Sequence, residues 1–126
     1  MPTRYFTVEE ANAALLTLRP VVAAMLKARE KIVAARPDLW PVLEKAASNG
    51  GSDKASAVLV DFETVRRSVL AIEGLGIVLK DVNTGLVDFL AKRDGRDVYL
   101  CWRFDEPKVA FWHDLEAGFA GRQPLE

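Results

Sequence analysis

The sequence predicts an α+β fold, a long helical hairpin with a kinked first helix packed on a small three-stranded antiparallel β-meander, on three observations. Apolar residues recur alternately four and three apart at Ala11, Leu15, Leu18, Val22, Met25 and Ile32, and again at Ala55, Val58, Phe62, Val65, Val69 and Ile72, which marks two helical seams. After Gly76 the apolar period shortens from about 3.6 to 2, the alternation of a strand. Asp94-Gly95 then separates two alternating runs, and this pair tolerates the positive φ that a type I′ hairpin turn needs.

The first helix is expected over residues 7–36. Thr7-Val8-Glu9-Glu10 has the form of a capping box, and Arg36-Pro37 ends the helix because proline disfavours helical geometry in the residue before it. Pro20 removes one backbone hydrogen bond inside this helix and predicts a kink near Leu16. Arg29 interrupts the seam. A short helix is expected over 38–47 and a polar, glycine-bearing loop over Ser48–Asp53. The second long helix spans 54–73, with Asp53 as its N-cap and Gly74 or Gly76 as its stop. The meander occupies 77–113, with Ile77–Leu79 as a short edge element and strands at Leu86–Ala91, Val98–Phe104 and Val109–His113. Residues 114–126 form a tail expected to pack Phe119 inward and to pair Arg122 with an acid.

With 126 residues, the chain has the length of one domain with one core. Half of it is hydrophobic and 28% charged, a globular balance. Seventeen basic residues nearly cancel eighteen acidic ones, so counterion release offers little drive and nucleic acid is disfavoured as a partner. Lys27, Arg29, Lys31, Arg66 and Arg67 read as a solvated helix face. No run of about twenty apolar residues suggests a membrane span, no apolar leader follows Met1, and a lone cysteine suits a reducing compartment; a cytoplasmic location is expected.

The Asp94-Gly95 turn fixes register. Counting outward from Arg93 opposite Arg96 places Asp88 opposite Cys101, with Tyr99 and Arg103 on the same face. Val87, Phe89, Val98, Leu100, Trp102 and Phe104 share the other face, which is apolar enough to meet the helices. His113 is expected on the Asp88 face, since Trp112 then joins the core. Asp88, Cys101, Arg103 and His113, with Glu106 and Glu116 in nearby turns, are the residue types of a transition-metal or small polar site. Spacing alone argues less, because one Cys and one His form no paired motif. Cys101 with His113 also suggests a thiol nucleophile and its base, against the plainer reading of Cys101 as a buried apolar group. A carboxylate in mid-strand demands a partner, and Arg103, diagonal to Asp88, is the expected one.

Several motifs resemble the DUF2203 family of uncharacterised bacterial proteins. They are Phe6-Thr7, Glu10-Ala11-Asn12, Leu18-Arg19-Pro20, Gly76-Ile77, Lys80-Asp81, Gly85-Leu86-Val87-Asp88-Phe89, Gly95-Arg96, Leu100-Cys101-Trp102, Glu106, Trp112-His113 and Gly118-Phe119-Ala120-Gly121-Arg122. The resemblance covers nearly the whole chain and implies a small single-domain protein, with no activity, substrate or cofactor to transfer. Two functions from different classes follow. The first is a non-enzymatic homodimeric interaction or scaffolding module, because heptad-patterned helices in a small domain leave a stripe for a second copy. The second is a small metal- or ligand-binding enzyme with Asp88, Glu106 and His113 as catalytic candidates, Asp88, Cys101 and His113 as metal ligands, and Arg103 and Arg122 as binding residues.

Overall fold

The structure, a computed structural model, describes residues 3–48 and 59–126. Helix α1 runs Val8–Ala35, α2 Trp40–Ser48 and α3 Leu59–Gly74, followed by strands β1 Val78–Asp81, β2 Leu86–Arg93, β3 Arg96–Arg103, β4 Phe111–Asp114 and β5 Gln123–Pro124. The fold is α+β. Asp53, Ala55, Val58 and the loop expected after Ser48 lie outside the described residues, as does the connection that would close a helical hairpin.

Thr7 caps α1 as its sequence predicts: its hydroxyl accepts from the Glu10 amide at 3.0 Å, and the Glu10 carboxylate accepts from the Thr7 amide at 2.9 Å. The helix continues through Pro20, which lies on its exposed side. Ala11, Leu15, Leu18, Val22, Met25, Ala28 and Ile32 form its buried stripe, which packs against Phe62, Val65, Ser68, Val69 and Ile72 of α3. Contrary to the expectation from run length, α1 is long and apolar enough to cross a bilayer by length and composition; in this fold its stripe is core. Ala28 takes the place the strict heptad gives Arg29. A straight helix drifts about 20° per heptad from a 3.5 repeat, which swings Arg29 to the margin. There its Nε donates to Asn83 Oδ1 at 2.7 Å, and its guanidinium lies over Trp40.

Among the described residues the sheet has five antiparallel strands in sequential order, β1-β2-β3-β4-β5, rather than three. Two additions were hidden in the sequence for different reasons. Ile77–Leu79 is too short to distinguish an edge element from a full strand, and β5 is a two-residue pairing that carries a proline. Asp94 and Gly95 have φ of 53° and 80°, the two positive values the hairpin needs, and Arg93 stands opposite Arg96. The strand expected from Val109, β4, begins at Phe111 instead because the Val109 amide donates to Asn12 Oδ1 on α1 at 2.8 Å. Likewise β3 stops at Arg103, whose amide is taken by Glu106 Oε1 at 2.7 Å.

Val87, Phe89, Ala91, Val98, Leu100, Trp102 and Trp112 face the helices in one core with the α1 and α3 stripes. Phe104 packs on its edge, half-buried. The turn between β1 and β2 presses on α1 at Gly85: φ is +70°, and a Cβ there would stand 2.7 Å from Val22 Cγ1. Beside it Asn83 ties three elements together, accepting from Arg29 and from Trp40 Nε1 and donating to Glu44 at 2.6 Å.

Candidate metal centre

The sheet face away from the core carries one side chain from each of three adjacent strands to a single point. Asp88 on β2 is directly opposite Cys101 on β3, and His113 on β4 is opposite Tyr99, two residues along the same face. Their potential ligand atoms all lie within 4.8 Å of one another. All three residues are at most 2% exposed, and none belongs to the apolar core on the other side. Buried polar groups on the far side of a sheet must find partners, and these find each other.

The ring of His113 is fixed from both ends. Nδ1 faces the Asp114 carbonyl at 2.7 Å, an atom that only accepts, so Nδ1 carries the proton. Nε2 then points at both Asp88 oxygens, at 3.2 and 3.1 Å, a contact that in the metal-free protein needs one more proton between the ring and the carboxyl. Displacing that proton leaves the tautomer that metal-bound histidines adopt when a backbone carbonyl orients them. Burial pushes the Asp88 carboxyl above its ordinary value, against the opposing pull of His113, Lys80 and the Cys101 thiol.

Cys101 is governed by the same carboxylate. Burial, and then the Asp88 charge, push its thiol up to about 11, while Arg122 pulls weakly the other way. A nucleophilic cysteine needs the reverse, a lowered value beside a free base. Here both Asp88 oxygens face the imidazole Nε2, and the raised thiol works against the thiolate that a Cys-His pair needs. A divalent ion would remove the conflict by displacing the thiol proton. Without metal, the folded thiol keeps its proton at pH values where the unfolded chain has released it. Stability is therefore lost as pH rises from about 9 to about 11, by about 2–3 kcal/mol. Urea unfolding in chelator at the two pH values should show this loss in the parent and not in Cys101→Ser.

Around the three side chains sits a ring of cations and aromatic faces. Lys80 on β1 places Nζ 3.7 Å from Asp88 Oδ2 and 4.8 Å from the centre of the Tyr99 ring. Arg122 Nη1 reaches Cys101 Sγ at 3.9 Å and Glu106 Oε1 at 3.0 Å, with Nη2 closing a second contact to Glu106. The Arg122 guanidinium lies between Phe111 and Phe119. Glu106 is thus held one layer away from the cluster, engaged by Arg122 and the Arg103 amide.

Two expectations are overturned here. Arg103 pairs with Asp105 at 2.7 Å, not with Asp88, because the turn after β3 folds Asp105 back onto it. Phe119 is 37% exposed and flanks the Arg122 and Arg103 guanidinium groups instead of filling a core site. Glu116 is exposed, and Arg66 of the basic helix face pairs with Glu63. Lys80 and Asn83 were missed by residue-type reasoning; only the Lys80-Asp81 pair within the family-like motifs pointed to either.

Residues 4–125 match the model of a family described as an uncharacterized conserved protein, DUF2203. No curated protein and no solved structure matches the chain.

Proposed function

We propose, since the chain belongs to the DUF2203 family and that family's description assigns no activity, a function argued from the site: binding one divalent transition-metal ion through Asp88, Cys101 and His113. The observation that carries it is the convergence of three different ligand types within 4.8 Å, buried, with the imidazole already oriented by a carbonyl. A tetrahedral ion with bonds of about 2.0–2.3 Å sets its ligand atoms about 3.5 Å apart. The His113 and Asp88 atoms are near that spacing already. Thiolate, imidazole and carboxylate together suit a borderline ion of the zinc class over calcium or magnesium. A thiol ligand also fits a reducing cytoplasm.

Protein purified without an affinity tag should carry up to about one zinc-class ion per chain. Added Co²⁺ should give a thiolate-to-cobalt absorption band that Cys101→Ala and His113→Ala each abolish. A parent protein that binds Co²⁺ no better than the Cys101→Ala variant overturns the proposal.

The second reading is a non-enzymatic homodimeric module, with α1 and α3 as a helical hairpin. Its support is the exposure of large apolar side chains on these helices, Leu16 at 85%, Val60 at 79% and Leu70 at 50%. Light scattering at micromolar concentration decides it, and a clean monomer rejects the dimer.

A further inference from the structure

We propose that the fourth coordination position of this ion takes a small anionic oxygen ligand, a carboxylate or an inorganic oxyanion, held against the Lys80 ammonium. This rests on the metal reading above and adds the class of ligand.

Direction is the first argument. Asp88, Cys101 and His113 rise from neighbouring strands on one sheet face, so an ion bound by all three directs its remaining position away from the sheet. Among the described residues, that face also carries the apolar Val78, Leu90 and Phe111 and the Tyr99 ring, and the cations nearest the cluster are Lys80, beside Asp88, and Arg122, beside Cys101.

Charge is the second. A divalent ion with one carboxylate and one thiolate is neutral, and Arg122 is neutralised by Glu106. Lys80 has Asp88 as its ion-pair partner among the described residues, and metal ligation draws on that same charge. With Asp88 drawn to the metal, the Lys80 ammonium faces the ion's outer side, and an anionic oxygen ligand satisfies both at once.

Access is the third. The Lys80 side chain is 39% exposed and stretches from edge strand β1 across Asp88 toward Tyr99. A flexible four-carbon stem at the surface moves aside more readily than any of the three buried ligands.

The test uses the full chain loaded with Co²⁺ and titrated separately with acetate and with inorganic phosphate, following the visible cobalt spectrum. The expected result is a saturable shift in the parent protein, with affinity for the anion lowered about tenfold or more in Lys80→Met and largely retained in Lys80→Arg. The same variants should keep the thiolate-to-cobalt band, and anion affinity is compared at saturating Co²⁺ so that any change in metal affinity through Asp88 is read separately. Saturation by acetate alone marks a carboxylate ligand, and by phosphate alone an inorganic oxyanion or phosphoryl group; either supports the proposal. A spectrum unmoved by both anions, or a Lys80→Met variant that binds them as well as the parent, overturns it while leaving the metal site standing. Failure of the parent to bind Co²⁺ through Cys101 overturns both.

Discussion

Replacing His113 by leucine lowers the stability of the metal-free protein by about 3–5 kcal/mol, measured by urea unfolding at neutral pH. The imidazole is the nearest partner of a carboxylate that is 2% exposed, and removing it leaves Asp88 with a lysine at 3.7 Å and a thiol. The loss should not be charged to one contact. Most of it is the penalty for a buried carboxylate left with only the partly exposed Lys80 ammonium facing it among the described residues, so Asp88→Leu/His113→Leu together should be much less harmful than His113→Leu alone. The pH dependence separates this account from simple loss of packing. Without the imidazole, Asp88 rises further above its ordinary value, so the folded state binds a proton that the unfolded chain gives up above about pH 4. The defect should therefore shrink at pH 5 and grow toward pH 8. A loss independent of pH, or additivity in the double variant, would contradict the buried ion-pair account.

Trp102→Ala should destabilise by about 3–5 kcal/mol for a different reason. The ring is fully buried on the core face of β3, opposite Val87, with Phe104 packed edge-on at 6.2 Å and the Arg19 guanidinium 5.2 Å from its centre. Its Nε1 donates to the Glu106 carbonyl at 3.0 Å, and Arg19 donates to the carbonyls of Glu106 and Pro107. One indole thus fills the core and holds the turn that presents Glu106 to Arg122. Trp102→Phe keeps most of the volume and loses the hydrogen bond, which places it at about 1–2 kcal/mol. Denaturant curves on both variants test the ranking, and a Trp102→Ala loss below about 1.5 kcal/mol would mean that the site collapses around the missing ring.

Local chemistry made much of this fold legible. The capping box, the two seams and the Asp94-Gly95 turn each rest on residues a few positions apart, and the turn carried enough information to pair Asp88 with Cys101. The side of the sheet taken by His113 followed from asking which neighbour the core would rather bury, and Trp112 is indeed buried with it. What the sequence concealed were choices among long, flexible side chains. Arg103 and Arg122 both had acids within reach, and only the conformation of the turn at Asp105-Glu106 decides that the first takes Asp105 and the second Glu106. Lys80 stood out only within a family-like motif, because its place beside Asp88 depends on β1 being a strand, and that short segment has no periodicity long enough to read.

The sequential order of the strands bears on how the site comes into being. Every strand pairs with the one before it, so Asp88, Cys101 and His113 fall within a span of 25 positions joined by two reversals of the chain. Closing loops of this size costs little entropy, and each doubling of length would add only about 0.6 kcal/mol. The helices must find the sheet across much longer stretches, as the Arg19 and Asn12 bonds to residues 87 to 97 positions away show. The three candidate ligands are therefore brought together by short closures of the chain, and an ion that gathers them would act on the β-meander before the helical layer has docked.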